Sequence, residues 1–92
     1  MLKPRYSNQF KRDYKLAKKR HLPVDDLKGI IIRLCDEEVL EQKYHDHALS
    51  GNWKGFRECH IQPDWLLIYR IDHGEMILVA QRTGSHSELF DM

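Results

Sequence analysis

The sequence predicts an α+β fold, with two N-terminal helices packed on a small antiparallel β-sheet. Three observations carry that expectation. Apolar residues recur at helical spacing through residues 7–38, while the second half of the chain reads as short apolar runs separated by turn residues. The length of 92 residues suits one core, so residues 1–92 are expected to form a single domain. With 41% hydrophobic and 32% charged residues, the composition is that of a folded chain rather than a disordered one.

Residues 1–6 suit a short strand, which Pro4 confines to an edge or a strand start. Ser7 is a helix N-cap candidate. Phe10, Tyr14, Ala17 and His21 then share one stripe, with Lys11, Arg12, Lys15, Lys18 and Lys19 on the other side, which predicts a helix near 7–21 with a basic outer face. Pro23 breaks it. Asp25 and Asp26 favour a new helix N-terminus, and Leu27, Ile30, Ile31, Leu34 and Cys35 follow the helical template, predicting a second helix near 25–38 and an antiparallel helical hairpin. The period then changes. Strands are predicted over 53–61, 65–71 and 76–83, joined by the turn Pro63-Asp64 and the loop Asp72-His73-Gly74-Glu75, with one helical turn over 86–90. The run Leu66-Leu67-Ile68 predicts a central strand covered on both faces.

The formal net charge of +1 argues against a polyanion partner only until it is divided. Residues 1–22 carry +7, residues 23–46 carry −4 and residues 47–92 carry −2. A screened field acts over about 10 Å, so a nucleic acid meets the basic first helix rather than the total. That helix face reads either as a solvated surface or as a phosphate-tracking one. No apolar run approaches the ~20 residues of a membrane helix. The N-terminus lacks an apolar signal region. Cys35 and Cys59 form no CxxC, so the expectation is a reduced cytoplasmic setting without a disulfide framework or zinc knuckle.

Five of the six histidines lie within residues 45–86. Three readings compete. His45-x-His47 suggests a metal pair, but no other ligand falls at a recognised zinc spacing. Any one histidine also reads as a structural residue satisfied by hydrogen bonds. The third reading is acid–base chemistry. Cleaving RNA through its 2′-hydroxyl takes a base for that proton, an acid for the departing 5′ oxygen and cationic donors on the phosphate. Histidines, a carboxylate and arginines suffice without a metal. Trp53, Phe56 and Trp65 read either as base-stacking faces or as core.

The segment from Tyr44 to Tyr69, with the pattern DHxLxGxWxGxRxxHxxPDWxLIY, is followed by RTGxHxxLF over residues 82–90. Together they resemble the YafQ-type toxins of the RelE/ParE superfamily, and the likeness runs through the whole chain. The resemblance implies the toxin of a type II toxin–antitoxin pair with a microbial-ribonuclease-like α+β fold. It implies a ribosome-dependent endoribonuclease that cuts messenger RNA in the ribosomal A site and stops translation, with no cofactor and no metal. The implied partners are the ribosome, its message and a small DNA-binding antitoxin that wraps the toxin, so contact with DNA is only indirect.

Carried onto this chain, the family's active-site positions fall on His47, His60, Asp64, His86 and Phe90. Trp65 stands beside them, and Glu58 occupies a position where relatives often have another acid. His86 is expected as general acid or base. His60 and His47 share base, phosphate-orienting or charge-stabilising roles, Asp64 holds a histidine tautomer or raises its pKa, and Phe90 stacks on or positions a base. Arg57 and Arg82 read as phosphate contacts or, alternatively, as structural ion-pair partners. Lys11, Arg12, Lys15, Lys18 and Lys19 would face ribosomal RNA. His21, His45 and His73 fall outside the matched positions and are read as structural. Two other classes stay open: a gyrase-poisoning branch of the superfamily, which lacks the histidine set, and a non-catalytic binding module, for which the histidines would be dispensable.

Overall fold

A computed structural model describes residues 1–90 of the chain. The elements in order are β1 (Lys3–Tyr6), α1 (Asn8–Lys19), α2 (Val24–Cys35), β2 (His47–Ala48), β3 (Arg57–Gln62), β4 (Trp65–Asp72), β5 (Ile77–Gly84) and α3 (His86–Phe90). The strands form one five-stranded sheet in the order β1-β5-β4-β3-β2. This is the expected α+β fold, with two differences: β1 joins the edge of β5 in parallel, while the other pairings are antiparallel, and the two-residue strand β2 is added at the far edge. A parallel neighbour needs a crossover, and the segment holding α1 and α2 begins that route.

Ser7 locks the first turn in place. Its Oγ accepts from the Phe10 amide at 2.9 Å, as an N-cap does, and donates to the Gln81 carbonyl at 2.6 Å. The start of α1 is thereby tied to β5. The two helices pack mainly on the sheet and touch each other only slightly, so the predicted helical hairpin is better described as two helices sharing one sheet face. The second helix stops at Cys35, three residues short of the expected end, because Glu37 takes a left-handed backbone with φ of 57°.

Alternation along β4 divides the core in two. Trp65, Leu67 and Tyr69 face the helices with Phe10, Leu27, Ile31 and Leu34, whereas Leu66 and Ile68 face away and pack with Leu49, Trp53, Phe56, Leu89 and Phe90. Residues 65–69 are buried throughout, as a strand covered on both faces requires. The expected strand over 53–61 begins only at Arg57, and Trp53 lies in a 3-10 turn, Gly51–Trp53. Gly51 and Gly55 explain the difference, since their φ values of 64° and 93° break an extended chain. No helix among the described residues is long and apolar enough to cross a membrane.

Candidate active site

The sheet face turned away from α1 and α2 carries the titratable residues, and each is placed by a local device. Cross-strand pairing sets His47 of β2 opposite Glu58 of β3. Glu58 and His60 alternate with Cys59, which belongs to the helix-side core, so both point to the other face. Glu58 is only 4% exposed, and its Oε1 lies 3.1 Å from Nε2 of His60 and 3.7 Å from Nε2 of His47. One buried carboxylate therefore holds His60 by a hydrogen bond and faces His47.

The third imidazole comes from α3. Residues 85–88 form a reciprocal capping box: Ser85 Oγ accepts from the Glu88 amide at 3.2 Å, and Glu88 Oε1 accepts from the Ser85 amide at 3.0 Å. The Ser85 amide is the main reason the Glu88 carboxyl titrates below its ordinary range. In the two-residue turn between β3 and β4, Asp64 Oδ1 accepts from the His86 amide at 3.0 Å and from His86 Nδ1 at 2.7 Å. Those two bonds, the backbone one first, hold Asp64 below its usual carboxylate range. An ionised Asp64 accepts, so His86 carries its proton on Nδ1, and its Nε2 has no hydrogen-bond partner among the described residues.

The rings meet. His60 and His86 are 5.4 Å apart between centroids and nearly perpendicular at 77°. Phe90 lies 6.4 Å from His86 and edge-on to Trp53 at 6.2 Å, forming an aromatic wall beside the imidazoles. Glu58, His60 and His86 each offer one donor atom within 4.8 Å of the others. This trio differs from the His45-x-His47 pair that spacing suggests.

Three expected substrate residues are placed elsewhere. Trp65 is 3% exposed and packs in the helix-side core, so it offers no stacking surface. It follows Asp64 directly in the motif, but a one-residue step reverses the face. For the arginines the ion-pair alternative holds. Arg57 meets Asp46 at 3.4 Å and the Tyr69 hydroxyl at 3.3 Å, and Arg82 binds Asp13 of α1 through Nε at 3.0 Å and Nη2 at 3.1 Å. Tyr69 completes the first group by donating to Asp46 at 2.6 Å. Burial pushes its hydroxyl well above the ordinary tyrosine range, so it stays a donor. Asp46 thereby fastens the loop that carries His45 and His47.

Sequence reasoning missed two contributors. His45, read as structural, lies 5.1 Å from His60 between ring centroids. Lys28 of α2 joins Lys11, Lys15 and Lys18 around a groove floored by Tyr6, Phe10 and Tyr14. All five expected basic residues of the first helix, Lys11, Arg12, Lys15, Lys18 and Lys19, are exposed.

A small α+β sheet with imidazoles and carboxylates gathered on the face opposite its helices is the arrangement that the resemblance to the RelE/ParE-type toxins leads one to expect. The finer assignment follows from comparison with known proteins. The model of the YafQ family, bacterial toxins of type II toxin–antitoxin systems, matches residues 2–91, and the chain belongs to that family. It is 43% identical to the mRNA interferase toxin YafQ of Escherichia coli K12 over 86 residues, which cover 92% of this chain and 91% of the relative. A metal-bound toxin from Helicobacter pylori superposes with a TM-score of 0.93 at 43% identity, covering 98% of this chain and 100% of that one. The E. coli DinJ–YafQ complex aligns with a TM-score of 0.88 at 41% identity, over 98% of this chain and 99% of that one.

Proposed function

We propose that this toxin is a ribosome-dependent endoribonuclease that cleaves messenger RNA in the ribosomal A site by metal-independent histidine acid–base catalysis. The observation that carries the reading is the pair His60 and His86, each with one ring nitrogen held by a carboxylate and the other left for chemistry. Glu58 accepts from Nε2 of His60, leaving Nδ1, while Asp64 accepts from Nδ1 of His86, leaving Nε2.

In the proposed reaction one imidazole removes the 2′-hydroxyl proton as the 2′ oxygen attacks the adjacent phosphorus. The bond from phosphorus to the 5′ oxygen breaks, and the other imidazole, in its protonated form, gives its proton to that oxygen. The products are a 2′,3′-cyclic phosphate and a 5′-hydroxyl. With Arg57 and Arg82 engaged in ion pairs, positive charge at the phosphate comes from the imidazolium of the acid. His86 on α3 is assigned as the principal acid or base, His60 as its counterpart and His47 as the phosphate-orienting group. Phe90 stacks on a base of the message.

The basic face of α1 supplies the ribosome contact. Until its antitoxin is removed, the toxin is held in a neutral complex and cuts nothing. The partner proposed for that complex is a small DNA-binding antitoxin that wraps the chain; support for an antitoxin partner comes from the E. coli relative, which forms a toxin–antitoxin complex with DinJ. The working compartment is the cytoplasm, where ribosomes and messages are.

Induction of the toxin in bacterial cells tests the reading. The expected result is growth arrest with new 5′ ends inside translated messages, in register with codons. Growth arrest with intact messages and damaged gyrase would move the chain to the other branch of the superfamily. A second expectation concerns metal. A zinc or copper ion bound by Glu58, His60 and His86 would occupy the imidazoles that the reaction uses. Added Zn²⁺ is therefore expected to inhibit cleavage on purified ribosomes. A chelator that spares Mg²⁺ is expected to leave the rate unchanged, and a loss of activity with that chelator would contradict a metal-independent mechanism.

A further inference from the structure

We infer that His45 is a positioning residue for two catalytic histidines at once, its ring bracing His60 and its carbonyl setting the tautomer of His47. The inference rests on the ribonuclease reading above and adds a member to the site.

Two separate observations converge on this residue. The first is the ring. His60 is flanked by His45 at 5.1 Å and a 50° tilt, and by His86 at 5.4 Å and 77°. One ring nitrogen of His60 is tied to Glu58, which fixes a point on the imidazole but leaves rotation about that bond. Aromatic neighbours on two sides remove that freedom. Deleting the brace that lies outside the catalytic pair loosens His60 without removing any group that touches substrate.

The second observation is the backbone. His45 adopts φ 49° and ψ 41°, a left-handed conformation uncommon for a non-glycine residue, at the end of the 3-10 turn Gln42–Tyr44. That conformation turns the His45 carbonyl to Nδ1 of His47 at 2.6 Å. A carbonyl only accepts, so His47 carries its proton on Nδ1 and directs Nε2 toward Glu58. The strained turn is held by the next residue, since Asp46 is fastened to Tyr69 at 2.6 Å and to Arg57 at 3.4 Å on the other face of the sheet. The ion-pair group around Asp46 thus supports the imidazoles from behind.

The test uses single-turnover cleavage of message on programmed ribosomes, with His45→Asn and His45→Phe. Asparagine tolerates the left-handed turn, so it keeps the carbonyl bond to His47 and removes only the ring. Phenylalanine keeps a ring that cannot transfer protons. For His45→Asn the rate at saturating ribosomes is expected to fall about tenfold, with the half-saturating ribosome concentration unchanged within about twofold. His45→Phe is expected to recover to within about threefold of wild type, as a bracing role requires. In ¹⁵N spectra of the isolated toxin, His47 of the Asn variant keeps its Nδ1–H tautomer while the His60 ring signals broaden by exchange. Wild-type rate in His45→Asn, His60 ring signals as sharp as in the wild type, or a Phe variant as slow as the Asn one would overturn the inference. If the wild type itself fails to cleave, the proposed function falls, and the His60 spectrum alone then decides the bracing role.

Discussion

Replacing His86 with alanine is expected to slow message cleavage on programmed ribosomes by about 10²–10⁴-fold, the range that one general acid or base contributes. The half-saturating ribosome concentration should change little, because ribosome binding is assigned to α1 on the other side of the sheet. The slowing follows from geometry. His86 is the first residue of α3, and the capping box around it together with two bonds to Asp64 leave its Nε2 as the free nitrogen. Alanine keeps the backbone amide that bonds Asp64, so α3 stays in place and the change is confined to chemistry. An Asp64→Asn variant should show a smaller effect, since an amide can still hold the ring but no longer stabilises its charged form. A His86→Ala enzyme with wild-type single-turnover rate would remove this histidine from the mechanism.

The second large effect is on binding. Lys11, Lys15, Lys18 and Lys19 are exposed on α1, so reversing all four to glutamate removes their positive charge without touching the core. Ribosome affinity is expected to drop about 100-fold or more near physiological salt, and the slope of log affinity against log salt to flatten by about 0.7–0.9 for each phosphate that the helix no longer neutralises. Exposed substitutions of this kind change stability by about 0.5 kcal/mol or less each. Affinity measured across a salt series by filter binding or light scattering checks the claim. Unchanged affinity would show that the basic helix is only a solvated face.

Much of the fold is legible because its signals are periodic. The helical stripes through Phe10 and Tyr14 and through Leu27 and Ile31, and the doubly apolar strand over Leu66, Leu67 and Ile68, specify burial by spacing alone. The turn Pro63-Asp64 and the capping sequence Ser85-His86-Ser87-Glu88 announce themselves through local chemistry. Other features have no local signature. Two-residue β2 is defined only by its partner, since His47 and Ala48 become a strand by pairing with Glu58 and Arg57. The parallel β1 depends on pairing with the far end of the chain, where Lys3 meets Ile77.

The site shows the same division. The three matched histidines, Glu58 and Asp64 do gather on one face, but a motif records which residues recur and not which way they point. Trp65 follows Asp64 in the motif and yet serves the opposite core. Arg57 and Arg82 are ambiguous in sequence, and their acidic partners, Asp46 and Asp13, lie 11 and 69 positions away. His45 escapes notice because its contribution comes from a left-handed backbone and a neighbouring ring, neither of which spacing encodes.

Cleavage through the 2′-hydroxyl by two imidazoles is the central claim, and the chemical ends of the cut message test it most directly. Message cleaved by the purified toxin on ribosomes is predicted to carry a 5′-hydroxyl on the downstream fragment and a 2′,3′-cyclic phosphate, or the 3′-phosphate derived from it, on the upstream one. A single 2′-deoxy substitution at the cut site should abolish the cut. A downstream 5′-phosphate, or undiminished cleavage of the deoxy-substituted message, would contradict the mechanism.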